Sequence, residues 1–317
     1  MLLLILDWSG SVVALIGALA LAGLAFGIWR RYSKPVAPDD FRYELGVVCA
    51  MANEAPYVKE WLSWHRDQGV EHFFIYDNDS WENDYEELFG KSLLPHITVQ
   101  RWVGREAGGI LGQRTPQRQA YNHAMKNFAG LCRYVLVCDL DEFAMPAPGS
   151  PHSRLIDVLK ELPENAAWVE ITRYDYGHRP HQTRPEGGVV DNYVWRCAIF
   201  PKNSLKSMIR GEIASHLSWS RGVHRPRWKL WSWPLRGRGW VHHVDDERLI
   251  RINHYHTKSA EEWKERGRFW EGNRFNKGNG LRVTWRDEPP PFYSDVEDDH
   301  ARIIKTKVIG RAAMEGD

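Results

Sequence analysis

YVLVCDLDEF, residues 134–143, joins a run of five apolar side chains to a cluster of three acids. A short apolar run of this kind is typical of a buried strand, so Asp139, Asp141 and Glu142 follow the end of a predicted strand. If the backbone stays extended there, Asp139 and Asp141 project to the same side, because side chains alternate along a strand. Two hard carboxylates suit Mg²⁺ or Mn²⁺, which keep free positions for diphosphate oxygens. The stretch therefore predicts a metal site.

The chain upstream of this stretch alternates between strand and helix patterns. LGVVCA, residues 45–50, predicts a buried strand, and HFFIY, residues 72–76, predicts the next one. A helix between them is predicted to begin near Asn53 and Pro56 and to end at Gly69. A strand, a helix and a second strand in this order imply parallel pairing. The predicted fold class is therefore α/β, with a mixed, mainly parallel sheet and flanking helices.

Polar residues follow three of the predicted strands, and ligands of such sheets bind outside the carboxyl ends of the strands. The three clusters are Asn53 with Glu54, Asp77 with Asn78, and Asp139 with Asp141 and Glu142. We expect them to line one edge of the sheet. The acids alone are weak evidence, because Asp77 and Asp79 form a second Asp-x-Asp, and a pair of solvated turn acids is the alternative.

The N-terminal part of the chain predicts a membrane anchor. Residues 11–29 carry no charge and would span about 28 Å as a helix, enough for the hydrocarbon layer. Arg30 and Arg31 follow, so the positive-inside rule predicts a single-pass protein with its catalytic domain in the cytoplasm. A cleaved signal peptide is the alternative, although the usual basic start is missing. The predicted organisation is an anchor at 1–34, a linker at 35–43, a catalytic domain at 44–275 and a tail at 276–317.

The composition excludes some partners and leaves others open. A formal net charge of +1 gives no electrostatic argument for a nucleic-acid partner. None of the four cysteines forms a Cys-x-x-Cys pair, so we expect buried, reduced thiols. The segment 219–240 is rich in tryptophan, arginine and histidine. It predicts either a wall that binds a sugar acceptor or a surface that rests on a membrane.

An ordered set of motifs resembles glycosyltransferase family 92 and the related family 2 enzymes of GT-A fold. The set covers about residues 45–270 and consists of Asn53-Glu54-Ala-Pro-Tyr, Glu60-Trp61, Gly69-Val70, Ile75-Tyr76-Asp77-Asn78-Asp79-Ser80, residues 117–122, Asp139-Leu-Asp-Glu-Phe143 and Asn253-His-Tyr-His-Thr-Lys-Ser259. The resemblance implies a nucleotide-sugar donor, a divalent metal and inversion at the anomeric carbon. Ala52 departs from the family pattern, which has a basic residue before the Asn-Glu pair, so a donor contact from this position is in doubt.

The resemblance also implies roles for single residues. The nucleotide-binding set is Asn53, Glu54, Asp77, Asn78, Gln117, Asn122 and Lys258, with Lys258 contacting the diphosphate. Helix capping, turn chemistry and simple surface polarity are the alternatives for the polar members of this set. His254 is implied as the metal ligand that joins Asp139 and Asp141, although His256 lies on the same side of a predicted strand and spacing does not separate the two.

An inverting transfer needs a general base beside the acceptor hydroxyl. Glu212, after the strand predicted at 206–210, is the first candidate and Asp175 the second. Asp141 is the other residue expected to take part in catalysis.

The expected activity is transfer of a hexose from a UDP-sugar or similar donor to a glycan or lipid-linked acceptor. Two rivals are a membrane-tethered carbohydrate-binding protein without catalysis and a metal-dependent hydrolase built on His254, His256 and the acids.

Overall fold

The computed structural model describes residues 12–24, 40–51, 54–78, 84–102, 116–198, 205–220, 223–229, 232, 241–245, 248–272, 289 and 294–315. The strands are β1 Tyr43–Met51, β2 His72–Asp77, β3 Ile97–Arg101, β4 Cys132–Val137, β5 Glu142–Pro146, β6 Ala166–Asp175, β7 Trp195–Arg196, β8 Leu205–Arg210, β9 Leu217–Ser218, β10 Arg227–Trp228, β11 Val241–Asp245, β12 Ile250–His254 and β13 Val296–Glu297. The helices with labels here are α1 Ala55–Asp67, α2 Tyr85–Phe89, α3 Pro116–Asn127, α4 Leu155–Val158, α5 Val189–Asn192, α6 Ala260–Gly272 and α7 His300–Glu315.

Within these residues the strands form one nine-stranded sheet and two separate two-stranded antiparallel sheets, β9 with β10 and β7 with β13. The large sheet has the order β3-β2-β1-β4-β8-β6-β12-β5, and β11 also pairs with β6. Strands β3, β2, β1 and β4 are parallel, and so are β6, β11 and β12. Only β8 and β5 pair antiparallel with their neighbours in this sheet. The prediction of a mixed, mainly parallel α/β sheet is confirmed.

The sheet is buried on both faces, as its continuous apolar strands predict. Strand β2 shows the pattern, because its six residues are all buried. Its four apolar residues alternate between two core clusters. Phe73 and Ile75 pack into the cluster that includes Trp61, whereas Phe74 and Tyr76 pack into the cluster that includes Tyr121. These two layers hold the strand ends in fixed positions.

Helix α1 forms as its spacing predicts. Its buried face includes Val58, Trp61, Leu62 and His65, the i, i+3, i+4, i+7 positions. Gly69 follows with φ +93°, a conformation that side chains with a Cβ rarely adopt, and a Cβ there would lie 2.5 Å from the side chain of Ile156. The helix therefore ends where the sequence places its stop.

The predicted boundary at 275 does not end the folded domain. Helix α7 buries Ala301, Ile304 and Val308 in the same core cluster as Trp61. Asp298 binds Arg196 at 2.7 Å and Arg251 at 3.0 Å, which ties this segment to β7 and β12. The prediction of a separate tail is therefore wrong for residues 294–315, because apolar contacts distant in sequence decide which segments join a core.

Residues 12–24 are helical. In the part of the chain that the structure describes, no helix combines the length and the apolar character that crossing a bilayer requires. Residues 1–11 and 25–39, which include the ends of the predicted anchor and most of the linker, lie outside the described residues.

All four cysteines are buried and free, which confirms the prediction of reduced thiols. Burial is the main cause that raises the pKa of Cys49, Cys132 and Cys138. These thiols therefore behave as apolar core side chains.

Candidate functional site

The carboxyl ends of parallel strands bring the predicted polar residues to one edge of the sheet. Met51, at the end of β1, pairs with Asp77 at the end of β2, and Val48 pairs with Val137 at the end of β4. Asp175, at the end of β6, pairs with His254 of β12, which in turn pairs with Glu142. Asn53 and Asp79 lie outside the described residues.

The acid triplet lies in a turn, and not in the extended backbone assumed for it. Strand β4 ends at Val137, and the amide of Glu142 donates to the carbonyl of Asp139 at 3.0 Å. The turn sends Asp139 and Asp141 to different partners. The premise that both side chains leave one side of a strand is therefore wrong, although both remain at the predicted edge.

Asp139 is surrounded by three donors. Lys206 Nζ lies 2.6 Å from its Oδ2, while the Tyr121 hydroxyl and the Gln117 amide donate to its Oδ1 at 2.6 and 2.8 Å. Lys206 is fully buried and also binds Glu142 Oε2 at 2.9 Å. Burial alone would raise the pKa of Asp139, but Lys206 outweighs it and lowers that pKa. Asp139 is therefore an ionised, firmly held carboxylate.

Asp141 has a different set of neighbours. Arg266 Nη2 donates to its Oδ2 at 2.8 Å, and His254 Nε2 lies 3.5 Å from its Oδ1. Burial would raise the pKa of Asp141, but His254 and Arg266 hold that pKa well below its ordinary value. Asp141 is therefore ionised and faces an imidazole nitrogen.

His254 is oriented from behind by Asp175. Its Nδ1 lies 2.5 Å from Asp175 Oδ1, and because an ionised carboxylate only accepts, we assign the proton to Nδ1. Arg173 holds Asp175 in place, with Nε 3.4 Å from its Oδ1, and also binds Glu142 at 3.1 Å. Burial lowers the pKa of His254, but Asp141 outweighs it and raises that pKa, so Nε2 carries a proton towards Asp141 Oδ1. Once that proton leaves, Nε2 and Asp141 Oδ1 are two acceptors that face each other.

This arrangement fits a divalent cation. Without the Nε2 proton two acceptors face each other, and a carboxylate fixes the histidine tautomer from its far side, as in many carboxylate–histidine–metal sites. A second group of possible metal ligands overlaps this pair: a carboxylate oxygen of Asp175 and one ring nitrogen each of His254 and His256 lie within 4.8 Å of one another. The rings of His254 and His256 stack with centroids 4.9 Å apart. Oxygen and imidazole donors together suit Mn²⁺ better than Mg²⁺.

Glu54 and Lys258 form a second pair at the edge. Lys258 Nζ lies 3.1 Å from Glu54 Oε2 and 3.9 Å from the centre of the Tyr57 ring. Lys258 has φ +50°, a backbone conformation that a residue with a side chain adopts at a cost. The structure therefore brings these two predicted residues together.

Three other residues of the predicted nucleotide-binding set make hydrogen bonds within the protein. The Tyr85 hydroxyl donates to the carboxylate of buried Asp77 at 2.7 Å, and the backbone amide of Asn78 donates to the Met51 carbonyl at 2.8 Å. Asn122 accepts from the Trp219 amide at 2.9 Å and donates to the Trp219 carbonyl at 3.1 Å. Asn122 thus fixes the chain at Trp219, directly after β9.

Glu212 lies at the opposite edge of the sheet. Strand β8 runs antiparallel to β4, so its last residue, Arg210, pairs with Tyr134 near the beginning of β4. Tyr134 lies three residues, about 10 Å, before the last residue of β4, Val137, and Asp139 follows beyond that end. Glu212 follows Arg210 and binds it at 3.7 Å. The structure therefore places Glu212 away from the acid cluster, whereas Asp175 lies at the same edge as that cluster and orients His254.

Sequence reasoning missed the cations of this site, namely Lys206, Arg173 and Arg266. Lys206 and Arg266 lie on elements remote in sequence from the acids that they bind, and Arg173 lies on a different strand from Glu142, so no local motif marks these contacts. Lys206 lies in β8 between Leu205 and the apolar pair Met208 and Ile209, which is the one signal that the sequence offers for a buried cation.

The sequence model of glycosyltransferase family 92 matches residues 47–273, which include all the site residues described above. The chain belongs to glycosyltransferase family 92. A family 92 protein of Ricinus communis is 25% identical over 228 residues, which cover 71% of this chain and 37% of the relative. A family 92 protein of Arabidopsis thaliana is 28% identical over 182 residues, which cover 54% of this chain and 29% of the relative. The chain thus spans about a third of the length of these curated relatives.

Among solved structures, the mannosyltransferase PcManGT from Pyrobaculum calidifontis, in complex with GDP-mannose and Mn²⁺, is 16% identical to this family 92 chain. The match covers 95% of this chain and 87% of that one, with a TM-score of 0.32. A likeness this weak bears neither on the fold nor on the ligands of this family 92 chain.

Proposed function

We propose that this family 92 chain is a metal-dependent glycosyltransferase that moves a hexose from a nucleotide diphosphate sugar to a glycan or lipid-linked acceptor, with inversion. The observation that carries the proposal is the pair Asp141 Oδ1 and His254 Nε2, 3.5 Å apart at the ligand-binding edge of the sheet, where a cation would replace the imidazole proton. Family membership supports the reaction class, and the site supports its dependence on a cation.

Asp141 and His254 would hold the cation, with Asp175 fixing the imidazole. The cation supplies Lewis-acid stabilisation of the negative charge that develops on the leaving diphosphate. Asp139, the third predicted ligand, already accepts bonds on both of its oxygens. We therefore propose that Asp139 contributes charge and holds the turn.

The donor's nucleotide would lie beside Glu54 and Lys258. A carboxylate accepts hydrogen bonds from ribose hydroxyls, and an ammonium group binds phosphate oxygens. The side chain of Glu54 is 19% exposed and that of Lys258 is 8% exposed, so both reach the surface of the edge. Gln117, which donates to Asp139, would position this acid and not the donor.

The membrane anchor remains a proposal. Its support is the charge-free segment 11–29, of which residues 12–24 are helical with exposed apolar side chains. The exposed fraction reaches 70% at Val13 and 69% at Leu21. We propose that this segment inserts into a bilayer and leaves the family 92 domain in the cytoplasm. Removal of residues 1–39 would then release the protein from the membrane fraction, and retention there would contradict the anchor.

The test of function is a donor screen with the purified full chain. UDP- and GDP-hexoses are incubated with a mixed glycan acceptor, with Mn²⁺ or with a chelator, and both products are measured. Metal-dependent release of a nucleoside diphosphate together with a lengthened acceptor supports the proposal. Hydrolysis that needs no nucleotide donor would favour a hydrolase, and no turnover with any donor would favour a binding protein.

A further inference from the structure

Arg266 holds the carboxylate that the proposed cation needs. Its Nη2 donates to Asp141 Oδ2 at 2.8 Å, and its Nη1 donates to the carbonyl of His256 at 2.8 Å. The two contacts place the guanidinium beside the pair formed by Asp141 and His254. One face of the cation site is therefore already positively charged.

The helix that carries Arg266 is firmly anchored at its start. The Ser259 hydroxyl and amide donate to Glu262, and the Glu262 amide donates to the Ser259 hydroxyl, a reciprocal capping box. Trp263 packs edge-on against His256, with ring centroids 5.3 Å apart. The backbone of α6 is thus held, whereas the arginine side chain is long and 25% exposed. A change of partner would need only the side chain to move.

A divalent cation at Asp141 and His254 and the Arg266 guanidinium compete for one carboxylate. Charges of the same sign a few ångströms apart repel strongly where water is largely excluded. A diphosphate that arrives with the cation removes this conflict, because its oxygens accept the bidentate hydrogen bonds that arginine prefers. The cation alone therefore meets repulsion, whereas the cation with a diphosphate does not.

The other cations at this edge of the sheet are held by other groups of the protein. Lys206 is fully buried between Asp139 and Glu142, and Lys258 is held between Glu54 and the Tyr57 ring. Arg173 binds Glu142 and Asp175. Among the described residues, Arg266 is the cation that binds Asp141 and also reaches solvent.

We propose that Arg266 couples cation binding to donor binding: it occupies Asp141 in the empty site and transfers to the diphosphate when cation and donor enter together. The inference rests on the proposed function and adds that the cation and the donor enter the site together. Free cation binds weakly, and the nucleoside diphosphate and the cation strengthen each other's binding. Such coupling is reciprocal by thermodynamic linkage.

The experiment measures Mn²⁺ binding to the full chain by titration calorimetry, with and without UDP, GDP or inorganic pyrophosphate. Wild type, Arg266→Gln and Lys264→Gln are compared. Lys264 lies two residues away on the same helix and is exposed, so its variant removes the same charge without touching Asp141. We expect Arg266→Gln to bind Mn²⁺ alone about tenfold more tightly and to lose most of the gain from diphosphates, in the usual range of coupling between sites.

Unchanged Mn²⁺ affinity and coupling in Arg266→Gln, beside measurable binding by the wild type, would overturn the inference and leave the proposed function standing. Equal effects in Lys264→Gln would also overturn it, because they would reflect net charge. Absence of Mn²⁺ binding in every protein would reject both proposals. Should Arg266→Gln fail to fold, Arg266→Lys keeps the charge but loses one of the two contacts, and an intermediate coupling is expected.

Discussion

Lys206 Nζ lies 2.6 Å from Asp139 Oδ2 with its side chain fully buried, and the same ammonium group binds Glu142 at 2.9 Å. This contact begins a chain of alternating charge along the ligand-binding edge. The order is Asp139, Lys206, Glu142, Arg173, Asp175, His254, Asp141 and Arg266. Lys206 and Arg173 therefore hold Asp139, Glu142 and Asp175 in place before any ligand arrives.

Lys206→Met tests the first contact. Removing one partner of a buried ion pair leaves an uncompensated charge, so we expect a loss of about 3–5 kcal/mol in the free energy of unfolding. Lys305→Met is the control, because the Lys305–Asp191 pair is exposed on both sides and should contribute less than about 1 kcal/mol. Urea unfolding of both variants measures the difference, and equal small losses would contradict a buried cation at this position.

Asp141→Asn tests the proposed cation site. The amide keeps the shape of the side chain but removes the charge, so we expect Mn²⁺ affinity to fall at least about 100-fold and transfer to be lost. The thermal transition should stay cooperative, because the side chain is not part of either apolar core. Asp191→Asn, an exposed acid distant from the edge, is the matched control. Unaltered Mn²⁺ binding would remove Asp141 from the ligand set.

Asp175→Asn separates a positioning role from a ligand role. Asp175 accepts from His254 Nδ1, and loss of such an outer partner typically weakens metal binding about 10- to 100-fold. We therefore expect a weaker Mn²⁺ affinity than wild type, with binding still detectable at higher concentration. Complete loss of binding would instead make Asp175 a direct ligand, as the cluster with His254 and His256 allows.

His65, a buried residue of α1 that is not among the proposed metal ligands, gives a pH prediction. Burial lowers the pKa of His65 from its ordinary 6.5 to about 4. Between these values the unfolded chain binds a proton that the folded chain does not, so stability falls as the pH falls below 6.5. From pH 7.5 to 5 the loss from this group is about 2 kcal/mol.

The measurement is urea unfolding of wild type and His65→Gln across this pH range. His65 donates from Nδ1 to the Trp61 carbonyl and accepts the Ala144 amide at Nε2, so the variant is less stable at neutral pH. Its loss of stability below pH 6.5 should nevertheless be smaller than that of the wild type. Parallel curves for the two proteins would show that His65 takes up its proton as readily in the folded chain as in the unfolded chain.

Much of the first half of the fold was predictable from neighbouring residues. The apolar runs that become β1, β2 and β4 and the spacing that becomes α1 are local patterns, and local patterns decide strand or helix where one face is clearly apolar. The surroundings of Glu212 and Asn122 were not predictable in this way, because the direction of a strand or a contact between remote segments decides them.

By itself, the sequence determined the fold class, the edge at which the acids gather and the family 92 resemblance, because all three follow from consecutive residues and their order. Only the tertiary structure decided which cation meets which acid. Strand β8 enters antiparallel between β4 and β6 and brings Lys206 to Asp139, and the turn after β4 sends Asp141 towards His254 and Arg266. Partnerships of this kind join residues 67 to 125 positions apart, a separation across which no local pattern carries information.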